Sequence, residues 1–283
     1  MTAAGDSRPI GVFDSGVGGL SVARELLWRL PAESLLYYGD TAHVPYGDRE
    51  PAELASFGVG IARWLEAQGV KLIVIACNTI SALALPQVRA AVGVPVLGMI
   101  EAGAAAAVAA ARGRAVGVLA TTATVRSGAY PAAIAARAPE LEVAQVACPR
   151  FVGLVEAGRN GCPETYAAGE EYVAQLPVAR LGAALLGCTH YSFLAADIRM
   201  WLGETTILVD PALAVAAAVE AQLTATDQRA SGPARHRVIT SGSPRSVDRL
   251  VKTTLAGALP RARRVPWWAA GADAPPAAVE MAR

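Results

Sequence analysis

Ile73-Val74-Ile75-Ala76-Cys77-Asn78-Thr79 (IVIACNT) runs from four apolar residues into a thiol and two hydrogen-bonding side chains. A short, largely β-branched run bounded by polar residues reads as a strand buried on both faces, the kind found in a parallel sheet covered by helices. At Leu185-Leu186-Gly187-Cys188-Thr189-His190-Tyr191 (LLGCTHY) the layout returns, with Cys188 standing 111 positions after Cys77. The chain thus ends a buried strand with a cysteine twice.

Working outward, Ile10–Phe13, Ser34–Tyr38, Leu72–Ala76 and Pro95–Leu97 read as strands, each followed by a polar or glycine cluster and a longer amphipathic or alanine-rich segment. This βαβ pattern predicts parallel strands with helices on both faces. Ala115–Leu119 answers Ile10–Phe13, Ala184–Gly187 answers Val74–Ala76, and Ile207–Val209 answers Val96–Gly98, at offsets of 106 to 111 residues. The expected fold class is therefore α/β, with two similar domains whose mostly parallel sheets are flanked by helices. A helix over about 212–223, a strand at His236–Thr240 and a helix over about 244–257 follow a second half already complete, so they are expected to return to the first. The expected division is 1–100 plus 212–268 for the first domain and 101–211 for the second, with a disordered Pro/Ala-rich tail at 269–283.

The 25 Lys+Arg and 24 Asp+Glu of this 283-residue chain leave a formal net charge of +1, so nucleic acid is not expected as a partner. Hydrophobic residues make up 53%, but the excess is alanine and no run reaches the roughly 18 apolar residues of a membrane span. The segment MTAAGDSRPI (1–10) lacks the basic and apolar regions of a secretory signal, which predicts a cytoplasmic protein. Four cysteines in a chain this long do not make a disulfide framework, and Cys148 and Cys162 read as small buried hydrophobes. The basic stretch that carries Trp267 and Trp268 reads as solvated surface.

Ligands in open α/β sheets bind beyond the carboxyl ends of the strands, so the polar loops there carry the functional reading. Asp14-Ser15-Gly16-Val17-Gly18-Gly19 lacks the Gly-Lys-Ser/Thr of a phosphate loop, and Ser21 stands where a dinucleotide fingerprint needs its last glycine. Two readings of it stand: a turn whose free N–H groups and Ser15 hydroxyl hold a carboxylate, or a structural turn in which Asp14 and Ser15 cap a helix. The loop from Asp40 to Gly47 is long for a βα connection and offers Tyr46 and Gly47 to a ligand. Thr121 and Thr124 form a similar hydroxyl cluster after the first strand of the second half.

Cys77 and Cys188 each stand at the start of a helix, a position that lowers a thiol pKa. A metal site fits poorly, because the chain has no C-x-x-C pair, and nucleophilic catalysis leaves one of the two copies unused. Two thiols on opposite sides of a substrate carbon would act as an acid and a base, the requirement for inverting a stereocentre that carries hydrogen. With each sulfur about 3–3.5 Å from the carbon, the thiols would sit roughly 6–7 Å apart. A pyridoxal cofactor needs a Schiff-base lysine, and Lys71 and Lys252 are badly placed for one, so no cofactor is expected.

Six co-linear stretches, IGVFDSGVGGLSV (10–22), GDTAHVPYG (39–47), ACNTISA (76–82), TTATVRSGAY (121–130), CPRFVGLVE (148–156) and LLGCTHYSFL (185–194), make the chain resemble the glutamate racemases, cofactor-independent enzymes that supply D-glutamate for peptidoglycan. The resemblance implies an active site in the cleft between the two domains, with Cys77 acting on D-glutamate beside Asp14. It implies Cys188 acting on L-glutamate, with His190 and Glu156 nearby. It further implies substrate contacts from Asp14, Ser15, Tyr46, Gly47, Asn78, Thr79, Thr121, Thr124, Thr189 and His190, and a homodimer. Ile80, Ser192 and His43 depart from the residues more usual in the family, and none of them removes a catalytic group.

Overall fold

The computed structural model describes residues 5–265. Among the described residues ten strands form two sheets: β1 (Ile10–Asp14), β2 (Leu35–Gly39), β3 (Leu72–Ile75), β4 (Val96–Gly98), β5 (Ala115–Ala120), β6 (Val143–Ala147), β7 (Leu181–Gly187), β8 (Ile207–Val209), β9 (Arg237–Thr240) and β10 (Arg263–Arg264). The first sheet has the order β10-β9-β2-β1-β3-β4 and the second β6-β5-β7-β8, and every pairing is parallel. The order β2-β1-β3-β4 of the first sheet is repeated by β6-β5-β7-β8 of the second. Cys77 therefore follows the third strand of one set and Cys188 the third strand of the other.

The strands are continuous apolar runs because both faces are covered. On one face of the first sheet, Val12, Tyr37 and Val74 pack with Leu20, Ala23 and Leu26 of helix Leu20–Arg29, Val215 and Val219 of helix Pro211–Ala225, and Val247 and Val251 of helix Pro244–Thr254. Phe13, Ile73 and Ile75 point the other way, onto Leu54, Ile61 and Trp64 of helix Pro51–Ala67. This alternation is the period-two geometry of a strand, and each such side chain contributes about 1.5–3 kcal/mol on burial. The second sheet is built alike: Leu119 and Leu186 face the helices at 149–156, 163–173 and 195–202, while Val118 and Leu185 face those at 99–111 and 129–135.

Helix Pro211–Ala225 packs on both Leu20–Arg29 and Met99–Ala111, so it joins the layers of the two sheets. Its start is fixed locally: Pro211 opens the helix and the Asp210 carboxylate accepts the Ala212 N–H at 2.9 Å. Two strands lie outside the sequence expectation. β6 is an edge strand, largely half-buried and interrupted by Gln145, so it lacks a continuous apolar run. β10 is two exposed arginines recruited by backbone pairing to β9. Among the described residues no helix is long and apolar enough to cross a membrane. The expectations for Trp267, Trp268 and the tail 269–283 fall outside the described residues.

Candidate active site

Parallel strands deliver their carboxyl-end residues to one edge of each sheet, and the two edges meet. Asp14 ends β1, fully buried, and Cys77 and Cys188 follow β3 and β7 with 4% and 6% of their surface exposed. Thr189 from the second sheet donates its hydroxyl to Asp14 Oδ1 at 3.2 Å, a direct bond between the two halves. Cys77 and Cys188 thus stand at the edges that this bond brings together.

The glycine turn is explained by this approach. A Cβ on Gly18 would lie 2.4 Å from Thr189 Oγ1 and 2.5 Å from His190 Nδ1, and one on Gly16 would lie 2.4 Å from Glu156 Oε1. Only bare backbone fits against the side chains arriving from the other sheet. The turn does hold carboxylates, but the protein's own: Gly16 N–H donates to Asp14 Oδ2 at 3.1 Å and Val17 N–H to Glu156 Oε1 at 3.2 Å. Tyr37 steadies the turn by donating its hydroxyl to the Gly16 carbonyl at 2.9 Å.

Each thiol has its own acid–base neighbour. His190 Nδ1 lies 3.8 Å from Cys188 Sγ, and its Nε2 lies 2.8 Å from Glu156 Oε1. Burial alone would lower the imidazole pKa, but the hydrogen bonds and charges of Cys188 and Glu156 outweigh it and raise His190 well above its ordinary value. Burial likewise works against the Glu156 carboxylate, yet His190, the Val17 N–H and the Arg249 charge hold it below its usual range. Arg249 also donates to the Glu156 carbonyl at 2.9 Å, tying helix Pro244–Thr254 to the far side of the site.

Cys77 departs from the sequence expectation. A helix start favours a lowered thiol pKa, whereas burial, followed by the charge of Asp14, pushes this thiol up to about 12. The backbone N–H groups of Ile80 and Thr79 do favour the thiolate, but six residues of helix, Asn78–Leu83, offset only part of the burial cost. The other cysteines divide: Cys148 is fully buried, while Cys162 is half-buried at the start of helix Pro163–Val173, so only the first is the core residue expected from the sequence.

Hydroxyls and amides complete the site. Thr79 Oγ1 lies 3.0 Å from Thr121 Oγ1 and 3.3 Å from Thr124 Oγ1, and Thr121 donates to Thr124 at 2.9 Å, so three hydroxyls from the two halves converge. Asn78 Oδ1 accepts from Tyr130 at 2.5 Å, while its buried Nδ2 has no partner among the described residues. Gly47 lies over Thr121, so closely that a Cβ on the glycine would meet the threonine Cβ at 3.1 Å, and the Gly47 carbonyl accepts the Ala123 N–H at 3.1 Å. Ser15 is buried beside Asp14. Tyr46 donates its hydroxyl to Asp40, which also accepts from Ser241 at 2.6 Å and lies 2.8 Å from His43 Nδ1. A pocket of about 250 Å³ opens beside Gly47 and Thr122, next to this cluster.

Among the described residues no group of three or more His, Cys, Asp or Glu side chains is placed to hold a metal ion. Lys71 is buried at the amino end of β3, with its Nζ 2.7 Å from Glu33 Oε2 and donating to the carbonyls of Asp6 and Gln228.

The model of the Asp/Glu/hydantoin racemase family matches residues 10–219. The glutamate racemase of a Picosynechococcus species is 47% identical over 216 residues, covering 76% of this chain and 77% of its own. The chain belongs to the glutamate racemase family. Among solved structures of the family, isoform RacE1 from Bacillus anthracis superposes with a TM-score of 0.87 at 32% identity, covering 91% of this chain and 97% of the other. The Francisella tularensis glutamate racemase in complex with D-glutamate has a TM-score of 0.85 at 33% identity, covering 92% and 98%.

In this family member, sequence reasoning gave no role to Asp40 or Tyr130, though both lie in stretches it singled out, and passed over Ser241 and Arg249. Asp40 and Ser241 stand directly after β2 and β9, so the rule that function gathers at carboxyl ends could have found them. Arg249 carries no such signal, because it reaches the site from a helix distant in sequence.

Proposed function

We propose that the chain interconverts L- and D-glutamate without a cofactor, using Cys188 and Cys77 as the two proton-transfer groups at the α-carbon. The observation that carries this reading is the equivalent placement of the two thiols after matching strands of two like sheets, each with a different acid–base partner. With L-glutamate bound, the Cys188 thiolate, backed by His190 and Glu156, takes the α-proton, and the Cys77 thiol delivers a proton to the opposite face. Cys77 leaves as a thiolate and Cys188 as a thiol, so the reverse reaction starts from the product state. The raised pKa of Cys77 suits the acid half, because the free site holds that thiol protonated at neutral pH. The substrate ammonium, near Asp14, is the cation that would favour its thiolate for D-glutamate.

The carbanion-like charge that develops towards the substrate carboxylate needs fixed donors. The Asn78 Nδ2, which has no partner among the described residues, and the hydroxyls of Thr79, Thr121, Thr124 and Thr189 are assigned that work, with Ser15, Tyr46 and Gly47 closing around the substrate. The same reading divides the chain into domains 1–100 plus 212–268 and 101–211, and makes it a cytoplasmic homodimer that supplies D-glutamate to peptidoglycan. The last statement rests on family membership alone.

Incubation of L-glutamate in deuterium oxide, with no added cofactor, is expected to give D-glutamate labelled at the α-carbon; absence of both product and label would end the proposal. Cys77→Ser and Cys188→Ser are each expected to abolish racemisation. Aspartate assayed in parallel distinguishes a racemase for the shorter acid.

A further inference from the structure

Away from the thiols, a pocket of about 160 Å³ lies between β9, the carboxyl end of helix Pro51–Ala67 and the segment leading into β10. A void of this size takes one aromatic ring, since an apolar cavity of about 150 Å³ accommodates benzene. Its floor is apolar, from Leu36, Val238 and Ile239. Its hydrogen-bonding groups are one-sided. Trp64 is buried and its indole N–H has no partner among the described residues, and the buried Gln68 Nε2 is in the same condition. Native interiors rarely leave such donors unsatisfied without a reason. His236 accepts the Leu35 N–H on Nδ1 at 3.3 Å, so its neutral ring carries the proton on Nε2, and burial lowers its pKa and keeps it neutral.

The charge around the pocket has one sign. Arg237, Arg261 and Arg263 line it, no carboxylate does, and none of the three guanidiniums has an ion-pair partner among the described residues. Partial burial lowers the Arg237 pKa, as expected for a cation lacking a counter-charge. An anion would meet an uncompensated field there and donors that already lack acceptors.

We propose that this pocket is a second ligand site, for a compact organic anion whose body is about the size of one aromatic ring and whose head is a carboxylate or a phosphate. The body lies on the apolar floor, the head faces the arginines, and its oxygens accept from Trp64 and Gln68. None of the pocket residues is among those that surround the two thiols, so the site is separate from the one that holds substrate.

The test is calorimetric titration of the full chain, in saturating racemic glutamate, with benzoate, phenyl phosphate and benzyl alcohol. At least one anion is expected to bind saturably, with the neutral alcohol about tenfold weaker or more, and the preference between the two anions identifies the head group. Arg261 and Arg263 are exposed, so the double variant R261Q/R263Q is expected to fold and racemise as the parent does while binding the anion about tenfold less tightly. Trp64→Phe, which keeps the ring and removes the donor, is expected to weaken the anion as well. No saturable anion binding below about 10 mM, equal binding of the alcohol, or anion binding that survives R261Q/R263Q would each overturn the proposal.

Discussion

At the scale of single residues, Cys77 and Cys188 are the same side chain in different electrostatic settings. Cys188 shares a hydrogen-bonded chain with His190 and Glu156, whereas Cys77 is pushed up to about 12 by burial and then by the charge of Asp14. The His190–Glu156 link yields a pH prediction with a definite sign. The His190 pKa is raised on folding, so its contribution to stability is present below its ordinary value near 6.5 and is lost as pH rises through the folded value. The Glu156 pKa is lowered, so its contribution is present above its ordinary value near 4.5 and is lost as pH falls through the folded value. Between these limits both groups stabilise. Glu156→Gln is expected to cost about 1.5–3 kcal/mol near pH 6, with the difference from the parent shrinking towards pH 3. Urea unfolding at several pH values measures it, and a pH-independent difference would show that the pair is not ionic.

At the scale of elements, the glycine turn Gly16–Gly19 and the Asp40–Gly47 loop both bring the two halves into contact. Both are surfaces on which the two halves close. Gly18 admits Thr189 and His190, and a methyl group there would overlap both. Gly18→Ala is therefore expected to displace His190 and lower kcat/KM for glutamate about a hundredfold, because a misplacement of about 1 Å is enough for that loss. Steady-state kinetics decide it, and near-parental activity would show that the close approach is not needed for turnover. In the longer loop, Asp40 gathers Tyr46, His43 and Ser241 around one buried carboxylate. That hub holds Gly47 over Thr121 and accounts for the length of the connection.

At the scale of the whole molecule, two like sheets are joined by a shared layer of helices, and a buried clasp remote from the thiols ties the first half to itself. Lys71 and Glu33 form an ion pair inside the protein, and Lys71 also binds the carbonyls of Asp6 and Gln228, which joins four separate segments of the chain. Removing one partner of a buried pair leaves the other charge uncompensated. Lys71→Met is expected to cost about 3–5 kcal/mol, and the double variant K71M/E33L to recover much of it. Thermal and urea denaturation read both, and an equal loss in the double variant would mean that the pair itself, rather than the unpaired charge, carries the stability.

Much of this architecture was legible in one dimension. Buried parallel strands must be apolar throughout, so Ile10–Phe13, Leu72–Ala76 and Ala184–Gly187 announced themselves, and the repeated cysteine marked which strand ends matter. The edge strand β6 and the two arginines of β10 did not, because backbone pairing rather than apolar burial makes them strands. Composition and periodicity thus determined the α/β class, the two like halves and the paired thiols. Only the tertiary structure decided that burial and Asp14 raise Cys77, that Glu156 and His190 occupy the glycine turn, and that Asp40 anchors Tyr46. The reason is physical: a side chain's period along the chain follows from local geometry, but its charge state and hydrogen-bond partners depend on which distant groups folding brings within a few ångströms.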